Sequence, residues 1–360
     1  MKKWLAVFLL LAVTLTLASC GGEQPAPTAA PEEGASTAIN ETAEELGGAL
    51  PTTQTETAND MDKTEFIVYE DRIFFISKSD PEVEATLADA MNTLFRSLPD
   101  TLSKYLMIVP TRIAYEVPEV QALSSDQKAE IKNIYMAIDQ TVTLVDAYYA
   151  LNEHAADLNK IYYRTDHHWT QLGAYYAAQA FFEAAGIDYH PLEDYEPHDG
   201  GTFLGYLQNL ANDPYFYDKP DSITYYLLPG VNHKEWIYYK DVETGETQMT
   251  ETTAVDDARP AYEKFVGVNG FSHAILFGNE ESDRSLLLVG YSFSNAIATW
   301  LADSFRTVVL VDPRYYEDGR EGLAELMDTY AVTDVLLLIS TSDSSAVVNN
   351  FSSYIGRLIQ

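Results

Sequence analysis

Cysteine is almost missing from this chain: Cys20 is the only cysteine among 360 residues. A chain with a single cysteine cannot form an internal disulfide, and it cannot supply the several thiolates of a cysteine-ligated zinc site. Both kinds of stabilisation are therefore excluded. The folded part must be held together by its hydrophobic core.

Basic residues are also scarce, with 22 Lys and Arg against 55 Asp and Glu and a formal net charge of -33. Proteins that bind nucleic acid concentrate Lys and Arg in patches, because binding releases counterions from the phosphate backbone. Here the basic residues are scattered, so we expect no nucleic-acid partner. So acidic a surface is typical of a protein kept soluble outside the cell, and it disfavours tight binding of an anionic polymer.

A long apolar run occurs at the amino terminus, from Trp4 to Leu17. It follows Lys2 and Lys3 and ends in the sequence Leu-Ala-Ser-Cys at 17–20, which is typical of a bacterial lipobox. The run is too short to span a bilayer. We predict a signal peptide over 1–19 and a lipid on Cys20 that holds the protein at the extracytoplasmic face of the membrane, which also removes the thiol from catalysis. An uncleaved anchor is the alternative.

The rest of the chain divides by composition. Residues 20–64 are rich in Ala, Pro, Thr, Glu and Gly, which predicts a disordered tether. Residues 65–360 suit one large α/β domain. Within it, about 190–270 is rich in Tyr, Gly, Pro and Asp and is interpreted as an insertion whose short β segments cover one end of a sheet. Its aromatic side chains either form a small core or stack on sugar rings.

Continuous aliphatic runs predict the strands of this domain. The clearest are Leu286–Val289, Val308–Val311 and Val335–Ile339, separated by helices near 296–302 and 321–330. Strands that are apolar at every position, with helices between them, indicate a parallel sheet covered on both faces. Further strands are predicted at 105–109 and 142–145, and helices at 80–98 and 125–140.

The densest chemical signal is the sequence Tyr-Tyr-Arg-Thr-Asp-His-His-Trp-Thr at 162–170. Thr170 can cap a helix that ends at Gly186. In an extended chain, Asp166 and His168 point to one side and His167 to the other. Asp166 can then orient His168 as the base of a nucleophilic triad.

A hydroxyl for such a triad follows the predicted strand 286–289. Ser292 comes after Gly290, at the start of a helix and at the carboxyl edge of the sheet. The amide hydrogens of Ser292 and Phe293 can face a developing oxyanion. The alternative is that Ser292 only caps the helix.

The histidines also allow another interpretation. Asp166, His167 and His168 could be three ligands of a metal ion, or the histidines could be buried structural groups. The metal site is the weaker hypothesis, because no second motif with compact ligand spacing is evident. We predict no metal and no cofactor.

The string YYRTDHHWTQLGAYYA, 162–177, resembles the signature of the bacterial DHHW proteins. Those proteins resemble the acetyltransferase domains of alginate O-acetylation proteins in the SGNH-hydrolase-like superfamily. The segment from Phe265 to Asn269 resembles the family's glycine-asparagine segment, GYSFSN its Asp-Ser block, and VDPRYY with VTDVLLLIS its closing strands. The resemblance covers roughly residues 65 to 357.

The resemblance implies a flavodoxin-like, SGNH-type parallel sheet with helices on both faces. It implies Ser292 as nucleophile, His168 as general base and Asp166 as its partner. One departure stands out: Tyr291 precedes the serine where the family commonly has Asp.

Four further residues complete the candidate site. The resemblance also implies Asn269 as an oxyanion-hole donor and Asn295 as a positional group. Arg314 and His167 are also candidates for oxyanion or substrate binding.

From the triad and the lipobox we predict an O-acetyltransferase or acetylesterase that acts on a cell-envelope polysaccharide. The resemblance also implies a membrane-bound O-acyltransferase as partner. The alternative is a non-catalytic glycan-binding module with the same fold, to which Tyr291 and the aromatic insertion would be suited.

Overall fold

The computed structural model describes residues 66–241, 243–267 and 270–360, with the backbone alone over 342–349. These residues belong to a unit that spans Thr57–Gln360. The predicted lipobox, Cys20, the tether and Asn269 lie outside the described residues. Within the described ranges, no helix combines the length and the apolar character needed to cross a membrane.

The described residues contain twelve strands. They are β1 (Phe66–Tyr69), β2 (Arg72–Phe75), β3 (Ser103–Val109), β4 (Thr143–Val145), β5 (Glu196–Phe203), β6 (Asp221–Leu227), β7 (Lys234–Lys240), β8 (Thr247–Thr253), β9 (Phe271–Phe277), β10 (Ser285–Gly290), β11 (Thr307–Val311) and β12 (Asp334–Ser340).

Ten α-helices accompany them in the same ranges. They are α1 (Pro81–Ser97), α2 (Pro118–Gln121), α3 (Gln127–Ala137), α4 (Ala147–Asn152), α5 (Leu158–Ile161), α6 (Gln171–Ala185), α7 (Tyr206–Ala211), α8 (Phe293–Leu301), α9 (Gly319–Thr329) and α10 (Thr341–Ile359).

The central sheet has eight strands in the order β4-β3-β12-β10-β11-β9-β7-β8. The first five run parallel, with Leu287 of β10 opposite Val309 of β11 on one side and Val335 of β12 on the other. The last three join antiparallel. The predicted parallel sheet is therefore confirmed, and the carboxyl ends of its parallel strands meet at one edge, where ligands of such sheets bind.

Helices cover both faces of the sheet, as predicted. Leu286 and Leu288 are fully buried in a cluster with residues of α4, α5, α6 and α8. Leu287 and Val289 alternate with them and are buried in a second cluster with residues of α1, α3, α9 and α10. Strands with both faces buried must be apolar at every position, which explains the continuous aliphatic runs.

The aromatic insertion is placed differently from the expectation. β7 and β8 do not cover an end of the sheet but extend its antiparallel edge through β9. β5 and β6 form a separate hairpin. The aromatic residues of the insertion also differ in burial: Phe216 is fully buried, while Tyr215 and Tyr217 are exposed. Alternate residues of β7 are buried, as is usual for a strand of a sheet. The local sequence pattern does not specify which edge of the sheet such a strand joins.

Candidate active site

Ser292 lies where β10 passes into α8, at the carboxyl edge of the sheet. The turn requires glycine at position 290, because a Cβ there would lie 2.2 Å from Ser294 Oγ and 2.6 Å from the Leu338 carbonyl oxygen. Ser292 itself has helical backbone angles, and its side chain makes no capping hydrogen bond to the fully described helix α8. The helix-cap interpretation of this serine hydroxyl is therefore wrong.

The Asp-His-His segment forms a closed loop rather than an extended chain. Tyr162 and Trp169 pair as an antiparallel bridge at its base, and the Tyr163 amide donates to the His168 carbonyl oxygen at 3.3 Å. Thr170 then caps α6 by accepting from the Gly173 amide, as predicted. The expected extended geometry is wrong, yet Asp166 and His168 still face one another, because the Asp166 carboxylate accepts from the His168 amide at 3.0 Å.

The loop brings the predicted triad together. His168 Nε2 lies 2.7 Å from Ser292 Oγ, and His168 Nδ1 lies 2.6 Å from Asp166 Oδ1. An ionised carboxylate can only accept, so the hydrogen is assigned to Nδ1 and Nε2 is left to accept from the serine hydroxyl. This is the tautomer that a general base beside a serine needs.

Asp166 is buried but remains charged. Burial by itself raises the pKa of its carboxyl, whereas the imidazoles of His168 and His167 and the hydrogen bond from His168 lower it. The Tyr206 amide donates to the second carboxylate oxygen at 2.8 Å and lowers it further. The net result is a pKa well below the usual range of an aspartate. Asp166 is thus an anion at any pH near neutrality.

Residues of the insertion brace the loop. The Asp221 carboxylate accepts from the Thr165 amide at 2.7 Å, from the Thr165 hydroxyl at 2.6 Å and from Arg164 Nε at 3.1 Å. Gly205 approaches so closely that a Cβ would lie 2.4 Å from Asp166 Cβ. Sequence reasoning missed both residues, since neither belongs to a motif and each is far from the loop along the chain.

His167 lies in an aromatic environment beside the triad. Its ring centroid is 3.9 Å from that of His168, 5.4 Å from that of Phe75 and 5.7 Å from that of Tyr206. Burial, the neighbouring His168 and Arg314 lower the pKa of His167 to about 3, and Asp166 opposes them only in part. The ring is therefore neutral at pH 7, and its part in oxyanion or substrate binding stays a prediction.

This buried neutral histidine predicts acid sensitivity. In the unfolded chain His167 takes up a proton near pH 6.5, but in the folded protein only near pH 3. The unfolded state thus binds more protons between these values, and the free energy of unfolding falls as pH falls. For one proton the slope is at most about 1.4 kcal/mol per pH unit.

In the His167→Gln variant, the contribution of this histidine to the pH dependence of the free energy of unfolding is expected to disappear. Urea unfolding at pH values between about 6 and 4.5 measures it, in a window above the ordinary aspartate pKa. Identical slopes for wild type and variant would contradict the assigned protonation of His167.

Arg314 and Tyr291 lie together next to the serine turn. The Arg314 guanidinium pairs with the Asp312 carboxylate at 2.7 Å and lies over the rings of Tyr291 and Tyr315, 5.2 Å from each centroid. Tyr291 is buried in the second core cluster. The aromatic residue at the family's aspartate position is thus braced by packing, and the triad assembles beside it.

Asn295 lies in the first turn of α8 and is 3% exposed. Its backbone amide donates to the Ser292 carbonyl oxygen at 3.1 Å, a bond of the helix's first turn that does not involve the side chain. The positional role of the Asn295 side chain therefore stays a prediction, as does the oxyanion role of Asn269.

The metal hypothesis can be set against the same geometry. Ligand atoms of Asp166, His167 and His168 lie within 4.8 Å of one another. Both ring nitrogens of His168 already face hydrogen-bond partners, Asp166 and Ser292. A metal bound through His168 would have to displace one of them, so the arrangement suits a proton relay better than a coordination site.

Comparisons with known proteins agree on the family. The model of the DHHW protein family matches residues 59–311. No curated protein matches the chain. A solved DHHW family protein from Eubacterium siraeum is 25% identical with a TM-score of 0.68, covering 82% of this chain and 98% of its own.

A further likeness concerns the fold. PatB1 of Bacillus cereus is 15% identical with a TM-score of 0.62, covering 80% of this chain and 99% of its own. A second PatB1 structure, with a sulfonyl adduct, is 16% identical with the same TM-score, covering 80% and 98%. The family match spans more than half of the sequence and includes every residue of the Asp-His-His loop and the serine turn, so this chain belongs to the DHHW protein family.

Proposed function

We propose that this protein is an O-acetyltransferase or acetylesterase that acts on a cell-envelope polysaccharide. The observation that carries the proposal is the continuous contact from Ser292 Oγ to His168 Nε2, 2.7 Å, and from His168 Nδ1 to Asp166 Oδ1, 2.6 Å. The resemblance to alginate O-acetylation domains supports acetyl as the acyl group and a polysaccharide as the acceptor.

The geometry supports a two-step acyl transfer. Ser292 Oγ attacks the ester carbonyl carbon while His168 Nε2 takes its proton, and the same proton then goes to the departing alcohol. A sugar hydroxyl or water, deprotonated by His168, next attacks the acyl-serine and releases Ser292. Asp166 keeps Nδ1 protonated and stabilises the imidazolium that forms in each step.

The carbonyl oxygen becomes negative during both attacks. Its natural partners are the amides of Ser292 and Phe293, because the first amides of a helix have no intrahelical acceptor and carry its positive dipole end. By resemblance, the side chain of Asn269 would add a further donor.

The proposed location follows from the lipobox. A lipid on Cys20 would hold the protein at the outer face of the membrane, and a flexible tether of residues 20–64 would give a mean reach of roughly 35 Å. A membrane-bound O-acyltransferase that brings the acyl group across the bilayer is the partner that such a site requires for transfer.

The test measures where the acetyl group goes. Purified protein is incubated with a chromogenic acetyl ester, with and without a de-O-acetylated envelope polysaccharide, and both free acetate and glycan-bound acetyl are measured. Hydrolysis predicts acetate in both samples. Transfer predicts that acetyl appears on the glycan at the expense of acetate.

A glycan-binding module is the second candidate, supported by the exposed Tyr215 and Tyr217 of the insertion and by Tyr291 at the aspartate position. It predicts neither acetate release nor glycan acetylation, together with measurable binding of the polysaccharide. That combination of results would replace the enzyme proposal.

A further inference from the structure

One face of the His168 imidazole is covered by a ring from the insertion. The Tyr262 ring lies parallel to it, with a centroid separation of 4.0 Å and an angle of 7° between the planes. Both side chains are buried, at 8% and 7% exposure. Two further rings, those of His167 and Phe293, lie against the same imidazole, with centroids 3.9 Å and 5.0 Å away.

We propose that Tyr262 is a positioning residue for His168, whose ring keeps the imidazole in the plane that joins Asp166 to Ser292. This inference rests on the proposed function of the triad. It assigns a role in the reaction to the aromatic insertion. From the sequence, its aromatic side chains were expected only to form a small core or to stack on sugar rings.

The backbone around Tyr262 is held in an uncommon conformation. Ala261, directly before it, has a φ of +51° in the left-handed region, which a residue with a side chain rarely adopts. Such a conformation persists only where surrounding contacts over-determine it, and it is found disproportionately at functional sites.

Lys264 supplies contacts of that kind. Its ammonium is buried and donates to the carbonyl oxygens of Asp257 and Arg259 at 2.7 and 2.9 Å, and it pairs with the Asp257 carboxylate at 3.0 Å. Phe265 then pairs with Val255 and meets the Tyr262 ring edge-on, 5.5 Å between centroids. The turn Ala261–Lys264 is thus fixed from both ends, and it holds Tyr262 against His168.

The stack can act through the aromatic ring alone. A parallel ring prevents the imidazole from tilting out of the line between its two hydrogen bonds. It also presents its negative face to the imidazolium that forms when Nε2 takes the serine proton. Burial raises the pKa of the Tyr262 phenol, so its hydroxyl stays neutral and does not titrate during the reaction.

The experiment compares Tyr262→Phe, which keeps the ring, with Tyr262→Leu, which removes it. Tyr195→Leu is the matched control, because it removes another buried tyrosine ring of the insertion, one that packs against Trp300 at 4.6 Å between centroids rather than against the imidazole. With a chromogenic acetyl ester, Tyr262→Leu is expected to lose roughly tenfold in kcat with KM nearly unchanged. Tyr262→Phe and Tyr195→Leu are expected to stay within about threefold of wild type.

A second readout needs no turnover. In the Ser292→Ala background, proton NMR observes the downfield signal of His168 Nδ1–H in its short hydrogen bond to Asp166. The signal is expected to persist in Tyr262→Phe and to broaden or vanish in Tyr262→Leu. A wild-type protein without esterase or transferase activity would defeat the proposed function, while this signal would still decide the role of Tyr262.

Two results would overturn the inference. One is a Tyr262→Leu variant that keeps both the kcat and the NMR signal of Tyr262→Phe. The other is an equal loss in Tyr262→Phe and Tyr262→Leu, which would assign the effect to the hydroxyl. If circular dichroism shows that Tyr262→Leu is unfolded, Tyr262→Met takes its place, since a flexible unbranched side chain fills an irregular gap.

Discussion

Ser292→Ala is expected to reduce acetyl-ester cleavage to near background, a loss of roughly 10⁴- to 10⁶-fold in kcat. The reason is that Ser292 Oγ, 2.7 Å from His168 Nε2, is the atom that forms the acyl bond. The control is Ser294→Ala. Ser294 lies two residues further on and is fully buried, but its hydroxyl packs against the glycine turn at 290 rather than against the histidine.

The stability of the same variant separates chemistry from structure. The Ser292 side chain does not cap α8, so its removal should change the free energy of unfolding by less than about 1 kcal/mol. Urea unfolding of both serine variants measures this. A folded Ser292→Ala protein with more than a tenth of wild-type activity would exclude this serine as the nucleophile.

Asp166→Asn is expected to lower kcat by about 10³- to 10⁴-fold while the protein stays folded. An amide in place of the carboxylate can donate to Nδ1, which stabilises the tautomer with the hydrogen on Nε2 and leaves no base for Ser292. The amide also cannot stabilise the imidazolium. Steady-state kinetics on the acetyl ester, with circular dichroism to verify folding, measures the effect.

The chain offers a matched control for this substitution in a second His-Asp pair. His233 Nε2 and Asp303 Oδ1 are also 2.6 Å apart and largely buried, but Asp303 follows the far end of α8 from Ser292. Asp303→Asn should therefore leave kcat within about threefold of wild type. Similar losses in the two variants would mean that Asp166 acts on the fold and not on the reaction.

The parallel half of the fold could be predicted because its signal is local. A strand buried on both faces is apolar at every position, so the run Leu286–Val289 indicated β10, which spans Ser285–Gly290. β7 and β8 gave no such signal. Their place beside β9 depends on pairing between distant segments, which local composition does not encode.

The triad candidates could also be predicted, since each belongs to a compact motif with a recognisable neighbour. Asp166 and His168 precede a capped helix, and Ser292 follows a strand and a glycine. Their supports could not be predicted in this way. The supporting residues follow Asp166 by 39 to 96 positions in the chain, and only the folded insertion brings them to the loop. They are Gly205, Asp221 and Tyr262.

The loop itself shows why geometry read from an extended chain can fail. The bridge between Tyr162 and Trp169 closes it, so the side chains of 166–168 do not alternate as they do in a strand. The predicted pairing of Asp166 with His168 is present nevertheless, for a different reason: a carboxylate in a turn readily accepts from the amide two residues on.

Identification of the residue that a covalent serine reagent modifies tests the central claim most directly. An activated serine attacks sulfonyl fluorides and keeps the sulfonyl group on its oxygen. After treatment with a sulfonyl fluoride, peptide mass spectrometry is expected to find one sulfonyl group on Ser292 in wild type and Ser294→Ala, with labelling slowed by acetyl ester. Labelling of scattered Tyr and Lys residues, with Ser292 unmodified and ester cleavage undiminished, would contradict it.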